Sequence, residues 1–148
     1  MVNRYMAMAI EEARQGIRAG HGGPFGCVIV KDGTVIGKGH NEVIRQSDPT
    51  CHGEIMAIHD ACQTIRSHDL AGCELYTTAA PCPMCAGAIQ WANIKKEYYG
   101  CDVSDTDRIG FRDQFFYGET DKDHEEMDRE ECLKVFAEYD AMKDKAIY

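Results

Sequence analysis

The chain has 148 residues, 44% of them apolar and 28% charged, which suits a single folded domain spanning 1–148 and excludes a disordered chain. Its formal charge of −9, from 25 acidic and 16 basic residues, argues against a nucleic-acid partner, because such proteins gather Lys and Arg on one face and here only Lys95-Lys96 stand together. No apolar run is long enough for a membrane span, and Glu11-Glu12 interrupt the N-terminal pattern where a signal peptide would be continuous, so the eight cysteines are expected in a cytoplasmic setting and mostly as thiols.

Tyr5, Met6, Ala9, Ile10, Ala13 and Ile17 recur at helical spacing over 3–19, and Gly20 with Gly22-Gly23 ends that helix. Cys27-Val28-Ile29-Val30 reads as a strand, Asp32-Gly33 as a tight hairpin turn, and Val35 to His40 as the return strand. The polar stretch 41–50, with Asp48-Pro49, reads as a loop. A second helix is expected over 52–65, a strand over 73–78, a helix over 82–93 and a strand over 96–101. The stretch 102–123 is rich in aromatics and acids and reads as a loop. A last helix over about 124–143 carries Cys132, Val135, Phe136, Tyr139 and Met142 on one face, which needs a partner surface. The order α-β-β-α-β-α-β-α predicts a mixed sheet flanked by helices.

The chemistry concentrates in His52-Gly53-Glu54 and Pro81-Cys82-Pro83-Met84-Cys85. A catalytic zinc site commonly takes three protein ligands and leaves a fourth position for water. His52, Cys82 and Cys85 supply such a set, and the start of one helix brings both sulfurs to one point while its N-terminus favours thiolates. Zinc lowers the pKa of bound water to about 7. Glu54, two residues after His52, is then placed to move a proton without ligating the metal. A structural zinc site would need a second Cys pair, which the sequence lacks, and a redox Cys-x-x-Cys would leave His52 and Glu54 without a role. His21, His40, His59, His68 and His124 read as surface or loop residues.

On these residues the chain resembles the cytidine deaminase-like superfamily over nearly its whole length. Within it the likeness is to bacterial guanine deaminases, carried by Gly22-Gly23-Pro24-Phe25-Gly26, Asn41, Asp48-Pro49-Thr50, the two zinc motifs, Trp91-Ala92, Gly110-Phe111-Arg112-Asp113, Phe116-Tyr117 and Tyr148. The resemblance implies a three-layer αβα sandwich with a mixed five-strand sheet and a C-terminal helical arm. It implies Zn2+ as cofactor and a homodimer with swapped C-terminal segments, in which Tyr148 of the neighbouring subunit completes the pocket. It also implies a small nucleobase as substrate, most closely guanine, with Asn41 and Asp113 recognising the base. Phe25 and Trp91 are candidates to stack on it, and Gly53 to shape the space beside His52. An ionised carboxylate only accepts hydrogen bonds, so Asp113 suits the N–H edge of guanine, and the Asn41 amide suits its carbonyl or imidazole edge.

The sequence departs from that pattern at Ala80, where many relatives carry Glu, at Gly53, where Ala is common, and at Cys51. Other readings therefore stand beside guanine: isocytosine, cytosine or another aminated base; tRNA adenosine; and a zinc-bearing binding subunit without activity.

Overall fold

The computed structural model describes residues 1–118 and 125–147. They belong to two compact units, Met1–Gly118 and Glu119–Tyr148. In the first, α1 (Arg4–Arg18) leads into the hairpin of β1 (Gly26–Lys31) and β2 (Thr34–His40). After it come α2 (Val43–Gln46), α3 (Gly53–Ile65), β3 (Glu74–Ala79), α4 (Pro83–Trp91), β4 (Lys96–Cys101) and α5 (Val103–Arg108), and then a 3-10 turn, Asp113–Tyr117. The second unit holds α6 (Arg129–Asp140).

Local chemistry explains the early elements. The Asn3 side chain caps α1 by accepting from the backbone N–H of Tyr5 and Met6 at 2.9 and 3.2 Å. Gly20 ends the helix at φ 71°. Asp32 and Gly33 both adopt positive φ, 48° and 78°, as the tight hairpin between right-twisted strands requires.

The strand order is β2-β1-β3-β4, with β1 antiparallel to both neighbours and β3 parallel to β4. Side chains alternate across the sheet. Cys27, Ile29 and Leu75 therefore pack with Ala57 and Ala61 of α3 and Ile89 of α4, whereas Val28, Val30 and Tyr76 pack on the opposite face with Ala9 of α1. Helices thus cover both faces, and the three-layer sandwich is as expected. Each fully buried Ile or Leu contributes roughly 1.5–3 kcal/mol to that arrangement.

Three expectations need correction. The sheet has four strands among the described residues, not five. Directly after β4, Asp102 accepts from the Asp105 backbone N–H and Asp105 accepts in return from that of Asp102, a capping box that starts α5 where a further strand would have to continue. The expected loops at 41–50 and 102–123 contain α2, α5 and the 3-10 turn, each too short to leave a clear helical period. The last helix is shorter than the expected 124–143; the lower bound, like Tyr148, touches residues outside those described. Within its own unit, α6 buries none of its side chains and exposes Val135 and Phe136.

Candidate active site

A cavity of about 790 Å³ lies where the N-termini of α3 and α4 meet the segment around Asn41 and the 3-10 turn. His52 is the N-cap of α3 and Cys82 the N-cap of α4, and neither side chain turns back to cap its helix. Pro83 occupies the first helical position, which needs no N–H donor, and Cys85 follows within the first turn. His52 Nδ1 consequently lies 3.6 Å from the sulfurs of both Cys82 and Cys85.

That spacing can be tested against zinc. Zn–N bonds of about 2.0–2.1 Å and Zn–S bonds of about 2.3 Å at a tetrahedral angle separate nitrogen from sulfur by about 3.6 Å. The donors present therefore fit the ion, and three of them leave one coordination position for a reactant. The two helix N-termini add positive potential where thiolates form. Cys82 is the acidic member of the pair, with a pKa lowered to about 4 by its hydrogen bond with Cys85 and then by that with His52. Cys85 is pushed upward by the same hydrogen bond, by burial and by the Glu54 charge. A bound dication overrides this asymmetry, because a coordinating thiol is deprotonated outright.

A second group of potential donors, His21, His40 and Glu42, differs in geometry. His21 Nδ1 and His40 Nε2 are 2.8 Å apart, a direct hydrogen bond and shorter than two ligands of one ion allow. His40 Nδ1 lies 2.9 Å from Glu12 Oε2, and Arg45 donates to Glu42 at 2.7 Å. Both histidines are part-buried members of a hydrogen-bonded network; His21 stands on a loop, as the surface-or-loop expectation allows, whereas His40 ends β2.

Glu54 sits in the first turn of α3, 6% exposed, and reaches the cavity. Burial raises its pKa, opposed by its own backbone N–H, by Thr77 and by Cys85. The Thr77 hydroxyl donates to its Oε1 at 2.8 Å. Thr77 was not visible as a site residue in the sequence. The signal that could have found it is a hydroxyl in the inward-facing stripe Leu75-Thr77-Ala79 of β3.

The same cavity is lined by Asn41 and Asp113. Asn41 is buried, and its Oδ1 accepts from the Val43 backbone N–H at 3.1 Å. This assigns the amide: its oxygen is used by the chain, and its NH2 is the group left for a ligand. Gly22 is required beside it, since a Cβ there would fall 2.1 Å from Asn41 Oδ1. Burial raises the Asp113 pKa, as does the Cys82 charge, while His52 lowers it. Phe25 lines the cavity and meets Phe111 edge-on, with ring centroids 4.9 Å apart. Tyr117 donates to the Pro81 carbonyl, tying the 3-10 turn to the entry of α4.

The structure thus brings His52, Glu54, Cys82, Asn41, Asp113 and Phe25 to one cavity, with Cys85 beneath Cys82. Gly53 stands behind its wall, where a Cβ would lie 3.1 Å from the Phe25 carbonyl, so its place in the structure is one of close packing. Trp91 is not part of the lining: it ends α4, opposite the end that carries Cys82, and is 69% exposed.

Comparison with known proteins extends the geometry. Residues 1–101 match the sequence profile of the cytidine and deoxycytidylate deaminase zinc-binding region. The guanine deaminase of Bacillus subtilis (strain 168) is 47% identical over 122 residues, 82% of this chain and 78% of that protein. An X-ray structure of guanine deaminase from Bacillus subtilis superposes with a TM-score of 0.92 at 39% identity, covering 99% of both chains. The tRNA-specific adenosine deaminase of Aquifex aeolicus (strain VF5) is 41% identical over 92 residues, 62% of this chain and 60% of that protein.

Proposed function

This chain belongs to the cytidine and deoxycytidylate deaminase zinc-binding family, and from that premise we propose that it is a guanine deaminase, converting guanine and water to xanthine and ammonia. The observation that carries the reading is one cavity that gathers a proton-moving set and a base-reading set. Glu54 stands beside the His52, Cys82 and Cys85 donors, and Asn41 and Asp113 line the same cavity.

Zinc held by His52, Cys82 and Cys85 supplies a Lewis acid that lowers the pKa of a water to about 7. Glu54 takes the proton of the water that attacks C2 of the base and passes it to the adjacent ring nitrogen. The carbon becomes tetrahedral, and Glu54 then takes the remaining proton of the added hydroxyl and delivers it to the amine, so that the C2 carbonyl forms as the C–N bond breaks and ammonia leaves. The buried carboxyl suits this double role, because burial brings its pKa nearer the working pH. The Asn41 NH2 donates to an acceptor on the carbonyl or imidazole edge, while the Asp113 carboxylate accepts from the N–H edge. Phe25 offers an apolar wall to the ring.

Among the described residues no helix is long and apolar enough to cross a membrane. None of the eight cysteines is paired in a disulfide, and six thiols outside the Cys82/Cys85 pair support a cytoplasmic setting. A homodimer with exchanged C-terminal segments, Tyr148 closing the neighbour's pocket, remains our reading. It is supported by β4, an edge strand with every residue exposed, Tyr98 and Tyr99 included, and separately by the exposed apolar residues of α6.

The test is ammonia release from guanine, isocytosine, cytosine, adenine and a tRNA by the zinc-loaded protein. Guanine is expected as the best substrate, with xanthine as product. Preference for isocytosine would keep the chemistry and overturn the base assignment. Deamination confined to tRNA would likewise keep the chemistry and would overturn a free base as the substrate.

A further inference from the structure

Thr77 is 1% exposed, and its single hydroxyl faces two oxygen atoms that both ask for a proton. Glu54 Oε1 lies 2.8 Å from Thr77 Oγ1, and the backbone carbonyl oxygen of Ala79 lies 3.2 Å from it. A hydroxyl has one proton to donate and lone pairs to accept with, so it cannot donate fully to both at once. The shorter of the two contacts ties the Glu54 carboxyl to β3. Among the described residues no buried side-chain polar atom lacks a partner.

We propose that Thr77 is the positioning residue of the proton shuttle, its hydroxyl, 2.8 Å from Oε1, holding the Glu54 carboxyl in one orientation. The sheet register puts it there. Leu75 and Thr77 lie on the β3 face that meets α3, and Thr77 pairs with Cys27 of β1, a strand buried except at Lys31. The hydroxyl therefore approaches the first turn of α3 from a rigid support, the kind of element that fixes a catalytic group best. Without the hydroxyl, Glu54 Oε1 loses that fixed partner and the carboxyl rotates away from the reactant.

The proposal rests on the reading of Glu54 as proton shuttle, so its test has one arm that does not need turnover. Thr77→Val keeps the shape of the side chain and removes the hydroxyl; Thr77→Ser restores it. On the substrate that the wild type prefers, Thr77→Val is expected to lower kcat about 10- to 100-fold, the scale of a misplaced catalytic group, with KM within about twofold. Zinc per chain should be unchanged, and Thr77→Ser should recover most of the rate. A Val variant with wild-type kcat overturns the proposal, as does a loss of rate that follows loss of zinc or that Ser does not recover. In the second arm, the infrared carboxyl stretch of Glu54 is identified as the band missing in Glu54→Gln. It should move in Thr77→Val and return in Thr77→Ser; an unmoved band overturns the proposal even if no base is deaminated. Failure of every base to react, with the band shift intact, would instead overturn the substrate assignment and leave the Thr77 contact standing.

Discussion

His52 and Cys82 cap two helices rooted in the sheet, and Glu54 and Cys85 follow within the first turn of each. Asn41 and Asp113, which line the same cavity, stand on a post-strand segment and on a 3-10 turn. The first wall is fixed by helix packing on a buried strand, and its two nitrogen–sulfur separations of 3.6 Å fit a tetrahedral ion. The second is fixed by individual hydrogen bonds, such as Val43 N–H to Asn41 and Tyr117 to the Pro81 carbonyl. Reaction chemistry is thus placed on the rigid part and substrate choice on the part that loop changes alter most easily.

Substitutions on the helical wall should separate metal from proton, and these are the largest effects expected. Cys85→Ala should lose both zinc and activity, read by metal content and ammonia release. Glu54→Ala should keep its zinc and lose kcat by several orders of magnitude, with general acid–base chemistry alone worth ~10²–10⁴. Near-normal turnover without Glu54 would dissolve the division of labour between the walls.

The residues that read the base should respond in binding. Asn41→Ala removes one donor to the base and is expected to reduce kcat/KM about 10- to 100-fold, one buried hydrogen bond of ~1–3 kcal/mol, without loss of zinc. Gly22→Ala reaches the same result from behind, because its Cβ would displace the Asn41 amide oxygen. If Gly22→Ala left KM for guanine unchanged, Asn41 would not be the group that reads the base.

A smaller effect is expected from acid. The Asp113 carboxyl accepts from the base only when ionised. Burial, and then the Cys82 charge, raise its pKa above the usual carboxylate value of about 3.9. The ionised fraction therefore declines as pH falls through a value higher than an exposed aspartate would show. The acid limb of kcat/KM should lie correspondingly high, and Asp113→Asn should flatten it while lowering the neutral-pH value. A limb unaltered in that variant would assign it to another group.

These contrasts also explain what could be read in the sequence. The metal set was legible because its residues are local: His-x-Glu on one helix start and Cys-x-x-Cys on another need only the geometry of a first turn. The two-faced burial of β1 was legible in Cys27-Val28-Ile29-Val30, and the hairpin in Asp32-Gly33. Asn41 and Asp113 carry no such pattern, and only resemblance singled them out. Thr77 escaped because its role depends on the register of β3 against α3, which no local spacing encodes. The fifth strand was an inference from likeness, and the Asp102–Asp105 capping box turns the chain elsewhere.

Trp91 gives the smallest expected effect and the sharpest use of the comparison. It was a candidate to stack on the base, yet it follows Cys82 by nine residues, about 13 Å along a helix axis. At that distance it stands outside the cavity lining, 69% exposed. Trp91→Ala should therefore leave zinc content, kcat and KM within about twofold at high protein concentration. An exposed indole is a common anchor between protein surfaces, so in a homodimer the substitution should instead raise the concentration at which activity falls on dilution. A KM increase that is the same at every protein concentration would return Trp91 to the base site. It would also show that the base-reading wall extends beyond the residues this chain gathers around the cavity.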